Sequence, residues 1–303
     1  MAVSTPQRSA ERAAAALNQT APSRSVGERT FAAVLFLATI IGVAVLAILL
    51  VDILLDGLPR LNWQLLTTYQ SRFPEQTGVL AGVTGTFSLM TLVALMAFPL
   101  GLGAAVYLEE FAADNRFTRL MEANISNLAG VPSVVYGLLG LSIFVYIFQL
   151  GRSLLTGALT LSLLILPVII VAARESMRAV PRAIRDGALA LGATRWQTVS
   201  RQVIPAALPG ILTGTILALS RAIGETAPLL VVGALIGQRG STAPWEIFHR
   251  FSALPIEIYG LIGRPQAGFR EAAAPAAIIA MLVLLLLMNS VAILLRNRYA
   301  RIT

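Results

Sequence analysis

ALPGILTGTILALSRAIGETAPLLVVGALI, residues 207–236, carries two charges, Arg221 and Glu225, in an otherwise apolar run. Crossing a hydrocarbon core about 30 Å thick takes about 20 helical residues, so the stretch reads as a membrane span with a charged pair near its middle. Each charge costs about 2.5–3.5 kcal/mol there on the insertion scale. Four residues apart, the two lie on one helix face and can pair. Gly224 loosens the helix and Pro228 lacks the N–H that a regular turn requires, so the span can bend at its charges. A self-neutralising pair that only fixes packing is the plain reading, and a pair lining a path is the other. Arginine offers five donors in a rigid fork matched to phosphate or carboxylate oxygens, so an anion can displace Glu225 from Arg221. The physics selects an oxyanion without naming one.

Outward from this stretch, further apolar runs long enough to cross a bilayer lie at roughly 30–55, 80–108, 124–150, 153–173 and 272–295. The run at 124–150 is interrupted by Gly130, Pro132, Gly137 and Gly140, and such breaks survive only against protein or water. Over 303 residues, 56% are hydrophobic and 13% charged, where a soluble chain carries about 25% charge. The expectation is an all-α polytopic membrane protein with six transmembrane helices. A single membrane domain, residues 30–303, follows a mobile cytoplasmic tail, residues 1–29, which lacks the apolar core of a removable signal peptide.

All 23 basic residues are arginine, because the chain has no lysine, and it has no cysteine and one histidine, His249. A phosphate-cradling GxxxxGK[ST] loop, a lysine nucleophile, a thiol nucleophile and a structural zinc site are therefore excluded or nearly so. The chain is expected to be no enzyme and to hold no metal. Its arginines instead report orientation. Fifteen (Arg8, Arg12, Arg24, Arg29, Arg116, Arg119, the six from Arg174 to Arg201, Arg296, Arg298 and Arg301) fall on the side of the termini, against seven on the other. By the positive-inside rule both termini are cytoplasmic. Glu109, Glu110, Asp114 and Glu122 outnumber the arginines of their own loop and run against that pattern.

The loop from Arg174 to Pro205 is built to fold. Pro181 opens a helix, Ile184, Ala188 and Leu191 share a face, Gly192 ends it, and Thr194 caps a second helix in which Trp196, Val199 and Val203 continue an apolar stripe. Two short helices joined at a glycine make a hook. Packing of that hook along the membrane surface is its plain reading.

Asp186-Gly187-Ala188, three residues, Gly192, nine residues and Gln202-Val203-Ile204-Pro205 resemble the EAA loop of ABC-importer permeases. The departures are Asp for Glu, Gly for Ala, Gln for Ile and Ile for Leu. SRAIGETAPLL (Ser220–Leu230), PLGLGAAVYLEEFA (Pro99–Ala112), LAGVPSVVYGLLGL (Leu128–Leu141) and ALALGATRWQTVSRQVIPAALPGI (Ala188–Ile211) are similar to segments of the permeases of the phosphate-specific (Pst) ABC transporter, the PstA branch more than the PstC branch. The resemblance runs from about residue 30 to the C-terminus. It implies a type I importer (MetI-like) permease of the bacterial inner membrane, importing phosphate beside a homologous PstC-like permease. It also implies a PstB-like ATPase dimer that binds ATP and Mg, and a PstS-like substrate-binding protein; no cofactor is implied in this chain. On the same resemblance Asp186, Gly187, Ala188 and Gly192 couple to the ATPase, and Arg221, Gly224 and Glu225 line the substrate pathway.

Other permeases for sulfate, molybdate or phosphonate remain rivals on the arginine argument, as does a self-sufficient channel or ion-coupled carrier, which leaves the hook unexplained. Gly210 with Gly214 and Gly233 with Gly237 read as close helix packing. The external stretch 237–271, with Trp245, Phe248, His249, Phe251 and Tyr259, reads as a short helical lid at the bilayer surface. With Arg60 and Arg72 it is a candidate landing surface for a binding protein.

Overall fold

The structure, a computed structural model, describes residues 26–240 and 242–300 and contains no strand among them. The expected tail lies outside the described residues up to residue 25, and residues 26–29 already belong to the first helix. The chain forms two units, residues 1–52 and 53–303. In the first, residues 26–52 are part of α1 (Val26–Gly57), which is apolar along its length, with Phe31, Phe36, Leu46 and Ile48 all exposed. A helix that is apolar on every side needs lipid or another protein around it.

The second unit holds α2 (Leu80–Val106), α3 (Arg116–Leu128), α4 (Ser133–Gly140), α5 (Leu154–Arg178), α6 (Arg182–Ala190), α7 (Arg195–Thr198), α8 (Ile204–Ile223), α9 (Ala227–Val232), α10 (Leu254–Ile262) and α11 (Ala274–Ala300). Wide π-type turns extend α2 through Tyr107–Phe111, α4 through Leu141–Ile147 and α7 through Val199–Val203. Among the described residues five helices are long and apolar enough to cross a bilayer, or six if α3 and α4 together make one crossing.

Those two helices meet at 105°, so the run expected at 124–150 is not one helix. Asn115 starts α3 by accepting the Thr118 N–H at 2.8 Å, and Gly130-Val131-Pro132 ends it. Tyr136 closes the corner by donating to the Leu128 carbonyl at 2.8 Å. The bend expected in the span at 207–236 is a full break, because α8 stops at Ile223 before α9 begins at Ala227, and α9 in turn ends at Gly233, whose φ is +90°.

Side chains from α2 and α5 interleave around Leu89, Val93, Leu161 and Ile165, all nearly inaccessible. Helix α8 lies directly on α5 because its glycines leave room. A Cβ at Gly210 would sit 2.6 Å from the Ser176 hydroxyl oxygen, and one at Gly214 2.3 Å from the Ala172 Cβ. The first glycine pair is thus a packing motif, as expected. The second is not: Gly233 and Gly237 (φ +70°) both lie outside helices, in left-handed turns.

The lid expectation is corrected as well. Phe251 is fully buried, and α10 buries Leu254, Pro255, Ile256, Glu257 and Ile258. The Phe251 ring fills the space over Gly157, where a Cβ would fall 2.4 Å from it, and Gly85 admits the Ser252 carbonyl. Burying such a ring is worth roughly 1.5–3 kcal/mol. Trp245, Phe248 and Tyr259 do remain exposed.

Candidate functional site

Four groups of polar residues interrupt this apolar body. The first is the break between α8 and α9. Beyond Ile223 the chain passes through Gly224, Glu225 and Thr226 before Pro228 opens the next turn. Gly224 takes an ordinary φ of −85°, and a Cβ there would meet nothing closer than 3.7 Å, so glycine is not required at the break, and Pro228 stands in the first turn of α9, where its missing N–H is tolerated. Arg221 Nε approaches Glu225 Oε1 at 3.4 Å, with the arginine side chain 51% exposed and the carboxylate 15%. That single long hydrogen bond leaves both terminal nitrogens without a hydrogen-bond partner among the described residues. Gly137 of α4 allows Pro228 to approach, a Cβ there falling 2.7 Å from the proline Cα. The two interrupted membrane segments thus meet each other, where irregular backbone is shielded from lipid. Next to the arginine, Ser220 is 2.7 Å from Asn289 of α11, a polar bond between helices that sequence reading missed.

The hook is the second group. Helix α6 ends at Gly192, held at φ +84°, and Thr194 with Gln197 forms a reciprocal capping box at the start of α7. Val199 and Val203 enter the core while Leu191 is 91% exposed and Trp196 60%. Helix α6 buries no residue, so Asp186, Gly187 and Ala188 stand on an open face, and a Cβ at Gly187 would touch nothing.

The third group is an ion-pair network that sequence reading did not find. Arg174, 7% exposed, bridges Glu109 at 3.2 Å and Glu122 at 2.5 Å. Arg178 reaches Glu109 at 2.9 Å, and Arg185 reaches Glu110 at 2.7 Å. Glu109, Glu110, Arg178, Arg182, Arg185 and Asp186 line a cavity of about 470 Å³ beside α6. Of the acidic residues that oppose the arginine pattern, Glu109, Glu110 and Glu122 therefore neutralise arginines from the hook and from the end of α5, while Asp114 pairs with Arg119 of its own loop at 3.3 Å. The signal was in the composition of both loops, but their pairing was not.

At the opposite end Glu257 is fully buried. Ser252 donates to it at 2.6 Å, Gln70 donates to its other oxygen, and Arg264 donates to Gln70 at 2.8 Å. Burial pushes the Glu257 carboxyl above the usual carboxylate range, opposed by hydrogen bonds from Ser252, the Gly237 and Gln238 backbone and Gln70. Arg60, expected on a landing surface, instead clamps the carbonyls of Pro74, Glu75 and Thr77.

A broken span carrying a half-exposed arginine, with a projecting hook, is an arrangement that suits a transport permease. Residues 97–301 match the family described as binding-protein-dependent transport system inner membrane component, and the chain belongs to that family. It is a multi-pass membrane protein whose relatives are transport permeases. It is 40% identical over 200 residues to the phosphate transport system permease protein PstA 1 of Mycobacterium tuberculosis, covering 65% of this chain and 64% of that one. It is 32% identical over 252 residues to the phosphate transport system permease protein PstA of Haemophilus influenzae, covering 83% and 88%. A solved bacterial alginate ABC transporter, in complex with an alginate pentasaccharide-bound periplasmic protein, superposes with a TM-score of 0.66 at 16% identity. That match covers 91% of this chain and 97% of the other, and it shows the shared fold.

Proposed function

We propose that this chain is the permease subunit of an ATP-driven importer of inorganic phosphate. The observation that carries the reading is Arg221, a guanidinium with unengaged terminal nitrogens at a break in a membrane span; the phosphate permeases at 32–40% identity support the choice of anion. Six crossings, with α3 and α4 counted as one and both termini cytoplasmic, agree with the arginine distribution.

A substrate-binding protein delivers phosphate to an outward cavity between this chain and a homologous permease. There Arg221, with a matching group on the partner, replaces part of the anion's hydration. Glu225 competes for the same guanidinium and so keeps the anion from being held too tightly to release. Gly224 and Pro228 let the backbone adjust at that point. On the cytoplasmic side Asp186, Gly187, Ala188 and Gly192 dock the hook on a separate ATPase dimer, which binds ATP and Mg and drives the switch in access.

Arg221→Ala is expected to abolish uptake of labelled phosphate while the complex still copurifies. Undiminished uptake by a well-expressed variant would sink the proposal. Competition by sulfate, molybdate and phosphonate in the wild-type assay decides the anion.

A further inference from the structure

The hook is joined covalently to α5 and α8, but α2 is separated from it by more than seventy residues of chain. Movement of the hook reaches α2 only through contacts. Beyond the interface that α2 shares with α5, the turn Tyr107–Phe111 at the end of α2 supplies direct contacts to the hook and the end of α5 from three consecutive side chains. Glu109 holds Arg174 and Arg178 of α5, Glu110 holds Arg185 of α6, and Phe111 lies 5.3 Å beneath the Arg195 guanidinium and 6.3 Å from the Trp196 ring of α7. Consecutive residues on a helix point roughly 100° apart, so three in a row fan out far enough to meet three different helices.

Arg185 is the most engaged of these partners. Its Nε and Nη2 donate to Glu110 Oε1 at 3.2 and 2.7 Å, its Nη1 to the Val180 carbonyl at 2.8 Å, and its Nη2 to the Met177 carbonyl at 2.9 Å. One guanidinium therefore ties α6, the end of α5 and the end of α2 together. Helix α6 has no fully buried residue of its own, and this fork is what holds it to the ends of α5 and α2. The Glu110 side chain is only 10% exposed, and that of Arg185 19%, so salt screens the pair weakly.

We infer that the Glu110–Arg185 pair is the joint through which hook movement is passed to α2, making Arg185 and Glu110 positioning residues for coupled transport. The inference rests on the proposed function, because it requires an ATPase acting on the hook. An arginine fork is direction-sensitive where a lone charge is not, so a joint built on it transmits rotation as well as attraction.

The complete complex, purified with its partners and reconstituted in liposomes, tests this through the ratio of labelled inorganic phosphate moved to ATP hydrolysed. Glu110→Gln and Arg185→Gln are each expected to lower that ratio about 5-fold or more, the scale of a typical coupling between sites. The double variant is expected to lose no more than the worse single variant, because both remove one interaction. A wild-type ratio in assembled Glu110→Gln complex, or losses that multiply in the double variant, overturns the joint. Should Arg185→Gln fail to assemble, the near-isosteric Glu110→Gln complex decides alone. A wild-type complex without ATP-driven phosphate uptake would instead overturn the functional reading, leaving the two failures distinguishable.

Discussion

Replacing Arg174 by methionine removes a guanidinium and little volume from the place where α2, α3 and α5 converge. The arginine side chain is 9% exposed, and it lies 2.5 Å from Glu122 and 3.2 Å from Glu109, whose side chains are 31% and 16% exposed. Without it Glu109 keeps Arg178, whereas Glu122 has no other ion-pair partner among the described residues. Breaking a buried ion pair from one side costs about 3–5 kcal/mol, since one charge is stranded. Glu122 is partly wetted and will be screened, which brings the expectation down to about 2–3 kcal/mol. At roughly 2–4 °C per kcal/mol for a domain of this size, the variant should melt about 4–12 °C below the wild type. Thermal unfolding of detergent-purified protein measures it. The control adds Glu122→Gln to Arg174→Met, which removes the stranded charge while Glu109 keeps Arg178, and should recover most of the loss. A single variant that melts with the wild type, or a double variant no more stable than the single, refutes the account of Glu122 as the partner of Arg174.

Gly192→Ala keeps the open space around the residue but forces a Cβ into φ +84°, and it should cost about 1–2 kcal/mol, read as a lower melting temperature with an unchanged fold. Gly214→Leu drives a side chain into the Ala172 Cβ and should destabilise by about 1–3 kcal/mol or more. Gly187→Leu, which meets nothing, should leave the melting temperature of the isolated chain nearly unmoved. Glu257 makes stability depend on pH. Its folded carboxyl titrates above the ordinary 4.5, so the native state holds its proton longer than the unfolded chain. Between those two values stability therefore falls as pH rises, and below 4.5 the penalty is absent. Glu257→Gln should flatten that part of the profile, and identical pH profiles for variant and wild type would refute the assignment.

The sequence by itself determined that this is a helical membrane protein, because burial in lipid depends on composition averaged over about twenty residues and needs no partner. It also signalled a bend at Arg221 and Glu225 through Gly224 and Pro228, although Pro99, Pro167 and Pro209 lie inside continuous helices and only the structure told a break from a tolerated proline, and it signalled the turn at Gly192, whose cap lies beside it in the chain. Tertiary structure alone decided what the acidic residues near the end of α2 do. Glu122 and Glu110 find their arginines 52 and 75 residues away, and no local spacing encodes that meeting. The same holds for the external stretch, whose aromatic residues suggested a surface lid. Phe251 and Glu257 are buried because Gly157 and Gly82, far off in the chain, leave the space that receives them. Hydropathy is a property of a segment, whereas an ion pair or a filled gap is a property of two segments brought together.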